Sequence, residues 1–269
     1  PVGDWSFEWI DVGNNVITPF TLAAAGASQA FPNVTPGNHI IGEVVKPGYT
    51  VSAGCTVNEV PIPDGLPDNP ADVAIEILDG QNVVCTFVNT LNVTTYTVAK
   101  DFSDDATDVV GVELGCTSGT VSPLGVQDLS EGNPVEFTVT GATGTPLCTA
   151  LESNIPAGYT SDTSACIDDE LSSGGCIIAN TLNTANFTVA KDFSDNAADV
   201  VGVTLSCDTG VVSPAGVQDL SEAASVQFTV SGYTGDPNCT AVESNIPAGY
   251  TSDASSCTIV ALSQGSCLI

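Results

Sequence analysis

Along most of this chain, apolar and polar positions alternate with a period of two. Within 109–116, Val110, Val112, Leu114 and Cys116 alternate with Gly111, Glu113 and Gly115. Within 135–139, Val135, Phe137 and Val139 alternate with Glu136 and Thr138. Such alternation belongs to a strand with one buried and one solvated face. No stretch carries a helical period with capping residues at its ends, so the pattern predicts strands and turns without helices. Twenty-six glycines and sixteen prolines, with abundant Thr and Val, agree with short strands joined by tight turns.

The pattern repeats. TVAKDFSDDATDVVGVELGC (97–116) returns as TVAKDFSDNAADVVGVTLSC (188–207), and ESNIPAGYTSD (152–162) returns unchanged at 243–253. Cys116, Cys148, Cys166 and Cys176 map onto Cys207, Cys239, Cys257 and Cys267 at the same offset. A more diverged copy precedes them: KPGYT (46–50) echoes IPAGYT (155–160), and CTFVNTLN (85–92) echoes CIIANTLN (176–183). Three tandem domains are expected, at 1–91, 92–182 and 183–269, each an Ig-like β-sandwich of about seven short strands. The NTLN joints are too short to act as flexible linkers, which favours a rod.

Composition narrows the function. The 269 residues hold 32 Asp+Glu against three lysines (Lys46, Lys100 and Lys191) and no arginine, for a formal charge of −29. Nucleic-acid binding needs clustered Lys and Arg and is excluded, as is a basic amphipathic membrane anchor. Disorder is excluded too, because 42% of residues are hydrophobic and only 13% charged. No apolar run of ~18 residues is present, so no membrane insertion is expected in this segment. Ten cysteines without a CxxC pair, beside a single histidine, read as disulfides formed in an oxidising compartment, extracellular or at the cell surface. A chain that opens at Pro1 reads as a processed form or as part of a longer repeat protein.

The first repeat has only Cys55 and Cys85, which align with Cys166 and Cys176. If that pair is self-sufficient, the bridges are Cys55–Cys85, Cys166–Cys176 and Cys257–Cys267, leaving Cys116–Cys148 and Cys207–Cys239. Four cysteines allow three pairings in each later repeat, so the sequence leaves the choice open.

Strand parity exposes unusual residues. Tyr96, Val98, Lys100 and Phe102 share one face, and Phe187, Val189, Lys191 and Phe193 repeat it. Cys148, Ala150 and Glu152 share a face, as do Cys239, Ala241 and Glu243, and as do Cys176, Ile178 and Asn180. A buried Lys or Glu is costly unless paired, so Lys100, Glu152 and Asn180 are expected to meet. The simplest arrangement is a Lys100–Glu152 ion pair with Asn180 hydrogen-bonded to it.

At these residues the sequence resembles the CnaB/SpaA-type, prealbumin-like repeats of bacterial surface and fibre proteins. The likeness lies in the VxK first strand, the E…PxGY box and a last strand ending in Asn. The resemblance implies prealbumin-like sandwiches. It also implies an intramolecular isopeptide bond from Lys100 to Asn180, promoted by Glu152, with loss of ammonia and no cofactor. Desolvation would lower the lysine pKa and raise that of the glutamate. That would give an amine nucleophile beside a carboxylic acid able to hydrogen-bond the asparagine carbonyl and shuttle the proton.

The other repeats depart from the pattern. WSFEWI (5–10), taken as the first strand, has aromatics where lysine would stand, although Glu43 and Asn89 remain. The third repeat has Lys191 and Glu243, but its asparagine would fall two positions beyond Ile269. Further repeats of the same chain, or strand addition from a neighbouring subunit, would complete it.

The remaining candidates are weaker. Asp101, Asp104, Asp105 and Asp108 could ligate Ca²⁺ but lack the EF-hand order, so a solvated turn is expected, and the loop 64–72 has the same ambiguity. His39 is expected at the surface. Trp5 and Trp9 are expected in the core instead of forming a carbohydrate platform. Asn33, Asn92, Asn186 and Asn238 fit N-x-Ser/Thr, a motif common by chance in a Thr-rich chain. No catalytic motif for an external substrate is present. The expected function is a structural repeat protein of an extracellular filament, stalk or fibre that self-associates; the alternative is a surface adhesin or carbohydrate-binding module with the first repeat as its binding domain.

Overall fold

A computed structural model describes residues 4–23, 26–63 and 70–269. Among these, every regular element is a strand or a short 3-10 turn, as the period-two alternation requires. No helix is long and apolar enough to cross a membrane.

The first strands are β1 (Trp5–Asp11), β2 (Val16–Leu22), β3 (Gly37–Glu43), β4 (Tyr49–Val57), β5 (Val60–Pro61), β6 (Asp72–Ile77) and β7 (Val83–Leu91). They form a sheet of order β2-β1-β3-β6 and another of order β5-β4-β7. Ile41, Val73, Ile75 and Ile77 of the first sheet pack with Cys55 of the second. The next strands are β8 (Val93–Phe102), β9 (Val110–Cys116), β10 (Thr120–Ser122), β11 (Gln127–Leu129), β12 (Val135–Thr140), β13 (Leu147–Ser153), β14 (Tyr159–Asp162), β15 (Asp169–Glu170) and β16 (Gly175–Leu182). Their sheets run β10-β12-β8-β16-β14 and β11-β9-β13-β15. The last are β17 (Thr184–Ala190), β18 (Val200–Cys207), β19 (Val211–Ser213), β20 (Gln218–Ser221), β21 (Val226–Ser231), β22 (Asn238–Ser244), β23 (Val260–Ala261) and β24 (Ser266–Leu268), in sheets β19-β21-β17-β24 and β20-β18-β22-β23.

Alternation becomes core in the way the sequence pattern requires. Phe187, Val189, Phe228 and Val230 from one sheet meet Val201, Val203, Leu220 and Ala241 from the other in one buried cluster. Burying each large side chain contributes about 1.5–3 kcal/mol relative to exposure. By contact the chain groups into two compact units. One comprises residues up to Thr95 with Cys116–Ser122 and Thr138–Leu147; the other comprises Tyr96–Gly115, Pro123–Phe137 and Cys148–Ile269.

Disulfides join Cys55 to Cys85, Cys166 to Cys176, Cys207 to Cys239 and Cys257 to Cys267. Cys116 and Cys148 are disulfide-bonded as well.

One expectation is overturned. β1 is not the strand on which a lysine would stand. It pairs with β3, Phe7 opposite Glu43, and with β2. In the next repeat β9 holds the same place between β11 and β13. Alternation fixes which face of a strand is buried but not which sheet receives it. Among the described residues, β7 pairs only with β4.

Candidate functional site

β16 lies parallel to β8, with Ile178 opposite Lys100 and Asn180 opposite Phe102. On its other side it pairs with β14, where Ser161 faces Asn180. Tyr96, Val98 and Phe102 are fully buried on the face that carries Lys100. Parity therefore drives the lysine into the core, where β13 presents Glu152 from the facing sheet. The Lys100 Nζ lies 3.4 Å from Glu152 Oε1, with both side chains at most 1% exposed. The amine also donates to the Ile178 carbonyl at 3.1 Å and stands 4.4 Å above the Phe102 ring. Asn180, equally buried, donates its Nδ2 to the same Glu152 Oε1 at 2.9 Å.

The structure thus brings Lys100, Glu152 and Asn180 together, with one carboxylate oxygen bracketed by both nitrogens. Burial pushes the Lys100 amine below its ordinary pKa, while the Glu152 charge works against that shift. The orientation differs in one respect from the arrangement that the family likeness implies. The amide turns its NH₂, not its carbonyl, towards Glu152, and Asn180 Oδ1 has no hydrogen-bond partner. Glu152 Oε1 accepts here, so the amide presents its donor to it. A residue without a sequence signal completes the site: Ser161 Oγ donates to Glu152 Oε2.

The third repeat reproduces half of this. Lys191 Nζ stands 3.3 Å from Glu243 Oε1 and 4.4 Å above the Phe193 ring. Glu243 Oε2 and Ser244 Oγ are buried without partners. The first repeat holds the other half. Asn89 Nδ2 donates to Glu43 Oε1 at 2.7 Å, and Glu43 Oε2 and Asn89 Oδ1 are unpartnered. Burial raises the Glu43 pKa, opposed by the Asn89 hydrogen bond and by Lys46.

No known protein family matches the sequence, and no curated protein matches it either. Solved structures do. A point mutant of the shaft pilin SpaA from Lactobacillus rhamnosus GG is 16% identical, over 66% of this chain and 97% of that one, with a TM-score of 0.30. The Bacillus anthracis TIE protein is 11% identical, over 99% of this chain and 51% of that one, with a TM-score of 0.37. A streptococcal ancillary pilin is 13% identical, over 97% and 87%, with a TM-score of 0.29.

Other candidates resolve into structural parts. Among the described residues, no three of His, Cys, Asp or Glu gather to hold a metal ion. Both oxygens of Asp104 instead accept from the Tyr159 hydroxyl at 3.0 and 2.9 Å. Partial desolvation, together with this contact, pushes the phenol pKa up to about 12. Asp195 accepts in the same way from Tyr250. Most of the 64–72 loop lies outside the described residues. His39 is not at the surface. It is 2% exposed, with its ring stacked on Trp9 at 4.8 Å and Nε2 bonded to the Thr35 carbonyl at 2.9 Å. Strand pairing opposite Asp11 carries it inward, which its nearby Pro-Gly turn did not reveal. Trp9 packs between His39 and Phe31, and Trp5 stands edge-on to Tyr49.

Each NTLN joint also carries a latch. Asn92 N donates to the Gly48 carbonyl at 2.9 Å and its carbonyl accepts from Gly141 N at 2.8 Å, while its Nδ2 reaches the Ala142 carbonyl. Asn183 makes the same three contacts with Gly158, Gly232 and Tyr233.

Proposed function

We propose that this chain is a repeat subunit of an extracellular filament, stalk or surface fibre, divided at 91/92 and 182/183, whose second repeat closes on itself through a Lys100–Asn180 isopeptide bond. The observation that carries the bond is the shared oxygen: Glu152 Oε1 contacts both the amine that would attack and the amide nitrogen that would leave. A proton passes from the Lys100 ammonium to Glu152, leaving a neutral amine beside a carboxylic acid. With a donor now on Glu152, the Asn180 amide can turn its carbonyl, at present unpartnered, to face it. Lys100 Nζ adds to Asn180 Cγ; Glu152 gives its proton to Nδ2 and takes one from the attacking nitrogen as the Cγ–Nδ2 bond breaks, and so ends protonated. One amide forms, one is lost and ammonia departs. The reaction runs once per chain, without a cofactor.

A permanent cross-link between a first and a last strand suits a fibre under tension, because it prevents β8 and β16 from separating. Five disulfides agree with an extracellular location, and the duplicated Asn latches agree with stiff joints. The test is intact mass after reduction and denaturation. The wild-type chain should be lighter by one ammonia, and Glu152→Gln or Lys100→Met should restore the full mass. A wild-type chain of full mass would overturn the bond. Electron microscopy of native material tests the fibre.

A further inference from the structure

The two oxygens of Glu152 are not equivalent. Oε1 meets the Lys100 amine at 3.4 Å and the Asn180 Nδ2 at 2.9 Å, whereas Oε2 accepts from the Ser161 hydroxyl. The serine reaches it because β14 runs antiparallel to β16 with Ser161 directly opposite Asn180. Opposed residues send their side chains to the same face of a sheet, with Cβ atoms ~5 Å apart. Asn180 and Ser161 therefore converge on one carboxylate from the facing sheet and take one oxygen each.

The first repeat has the same strand pair without the hydroxyl. There Val51 stands opposite Asn89. Asn89 Nδ2 again donates to Oε1 of the glutamate, at 2.7 Å, but Glu43 Oε2 is buried with no partner. Valine at this position thus leaves the contact of the first oxygen in place and bares the second. Val51 is itself buried, so the position accepts an apolar β-branched side chain.

The difference bears on where a proton sits. A protonated carboxyl carries its hydrogen on one oxygen only, and the other remains an acceptor. We propose that Ser161 is a positioning residue of the cross-linking step: by donating to Oε2 it keeps the proton taken from Lys100 on Oε1, the oxygen in contact with Asn180. The Nζ–H bond breaks as the Oε1–H bond forms, and Ser161 keeps its own proton throughout. The hydroxyl also opposes rotation of the carboxyl, so the proton is taken and given from the same place. With Oε2 bare, the carboxyl turns freely and the proton can settle away from the amide. This role rests on the Lys100–Asn180 reading.

Ser161→Thr and Ser161→Val isolate the hydroxyl, because the two side chains share a shape and both suit a strand. The readout is the rate at which pulse-labelled chains lose one ammonia, followed by intact mass after reduction and denaturation. Ser161→Thr should convert at close to the wild-type rate. Ser161→Val should convert about tenfold more slowly or worse, forfeiting part of the roughly 10²–10⁴-fold that a positioned proton-transfer group supplies. Equal rates for the two variants would overturn the role of Ser161. If the Val chain fails to fold, seen as lost protection of the β16 amides, Ser161→Ala removes the hydroxyl without adding bulk, and a wild-type rate there would overturn the role equally. A wild-type chain that keeps its full mass would overturn the bond and this role together. A wild-type chain that loses ammonia at a rate indifferent to the hydroxyl would overturn the role alone.

Discussion

Replacing Lys100 by Met and Glu152 by Gln together separates a covalent site from an ionic one by the sign of the effect. The pair removes both buried charges at once, so neither is left alone. The introduced glutamine would keep an acceptor for Asn180 Nδ2 and a partner for Ser161, the contacts Glu152 makes now. If the site were only an ion pair, exchanging it for uncharged side chains of similar volume would be neutral or stabilising by about 1–4 kcal/mol. If Lys100 is bonded to Asn180, the double variant loses a cross-link closing a loop of roughly 80 residues. Disulfides inside that loop shorten its effective length to roughly 40 residues. The loop-entropy relation then gives about 4 kcal/mol.

The whole chain need not unfold in one step, so hydrogen exchange read segment by segment is the appropriate assay. At about 1.4 kcal/mol per tenfold, the amides of β8 and β16 should exchange on the order of 10³-fold faster in the double variant. The paired substitution in the third repeat, Lys191→Met with Glu243→Gln, is the control. No asparagine among the described residues faces Lys191, so exchange there should be unchanged or slower. Unchanged or slowed exchange in β16 of the second-repeat variant would refute the covalent reading.

Two further outcomes follow from the geometry. The Glu43 pKa is raised from 4.5 by burial, so folding favours the protonated form and ionisation at neutral pH opposes it. Glu43→Gln should therefore raise Tm at pH 7 and give no gain at pH 4, where the wild-type carboxyl is also largely neutral; a gain that is equal at both pH values contradicts this. Gly158 has φ +90°, and a Cβ there would sit 2.5 Å from the Gly232 carbonyl oxygen. Gly158→Ala should cost about 1–3 kcal/mol and weaken the Asn183 latch, seen as faster exchange at Asn183 and Gly232 with β8 and β16 unaffected.

The sequence exposed whatever depends on parity. Period-two alternation over 96–102 put Lys100 with Tyr96 and Val98, and burial follows because those neighbours are the core. A fixed offset of 91 residues carried the assignment to Lys191. What stayed hidden depends on which strands pair. The Trp5, Phe7 and Trp9 face suits either sheet, so nothing local revealed that β1 pairs with β3. His39 is buried by that same pairing. Ser161 looked like any turn serine, and its role appears only when β14 sets it opposite Asn180. The Asn92 and Asn183 latches hide in a motif whose shortness was visible but whose hydrogen bonds were not.

Each repeat holds one buried carboxylate on this strand. Glu43 accepts from Asn89, Glu243 pairs with Lys191, and Glu152 meets both Lys100 and Asn180. In all three the Oε1 contact falls between 2.7 and 3.4 Å, whichever partner it meets. Its position must then be set by its own strand and not by the groups it meets. Glu243 supports the point locally: Val203 faces it across β18, and Ala241 two residues earlier is buried, just as its parity demands. A buried carboxylate oxygen without a donor, such as Glu43 Oε2 or Glu243 Oε2, carries a desolvation cost. That cost disappears when a donor arrives. In the second repeat the donors are built in.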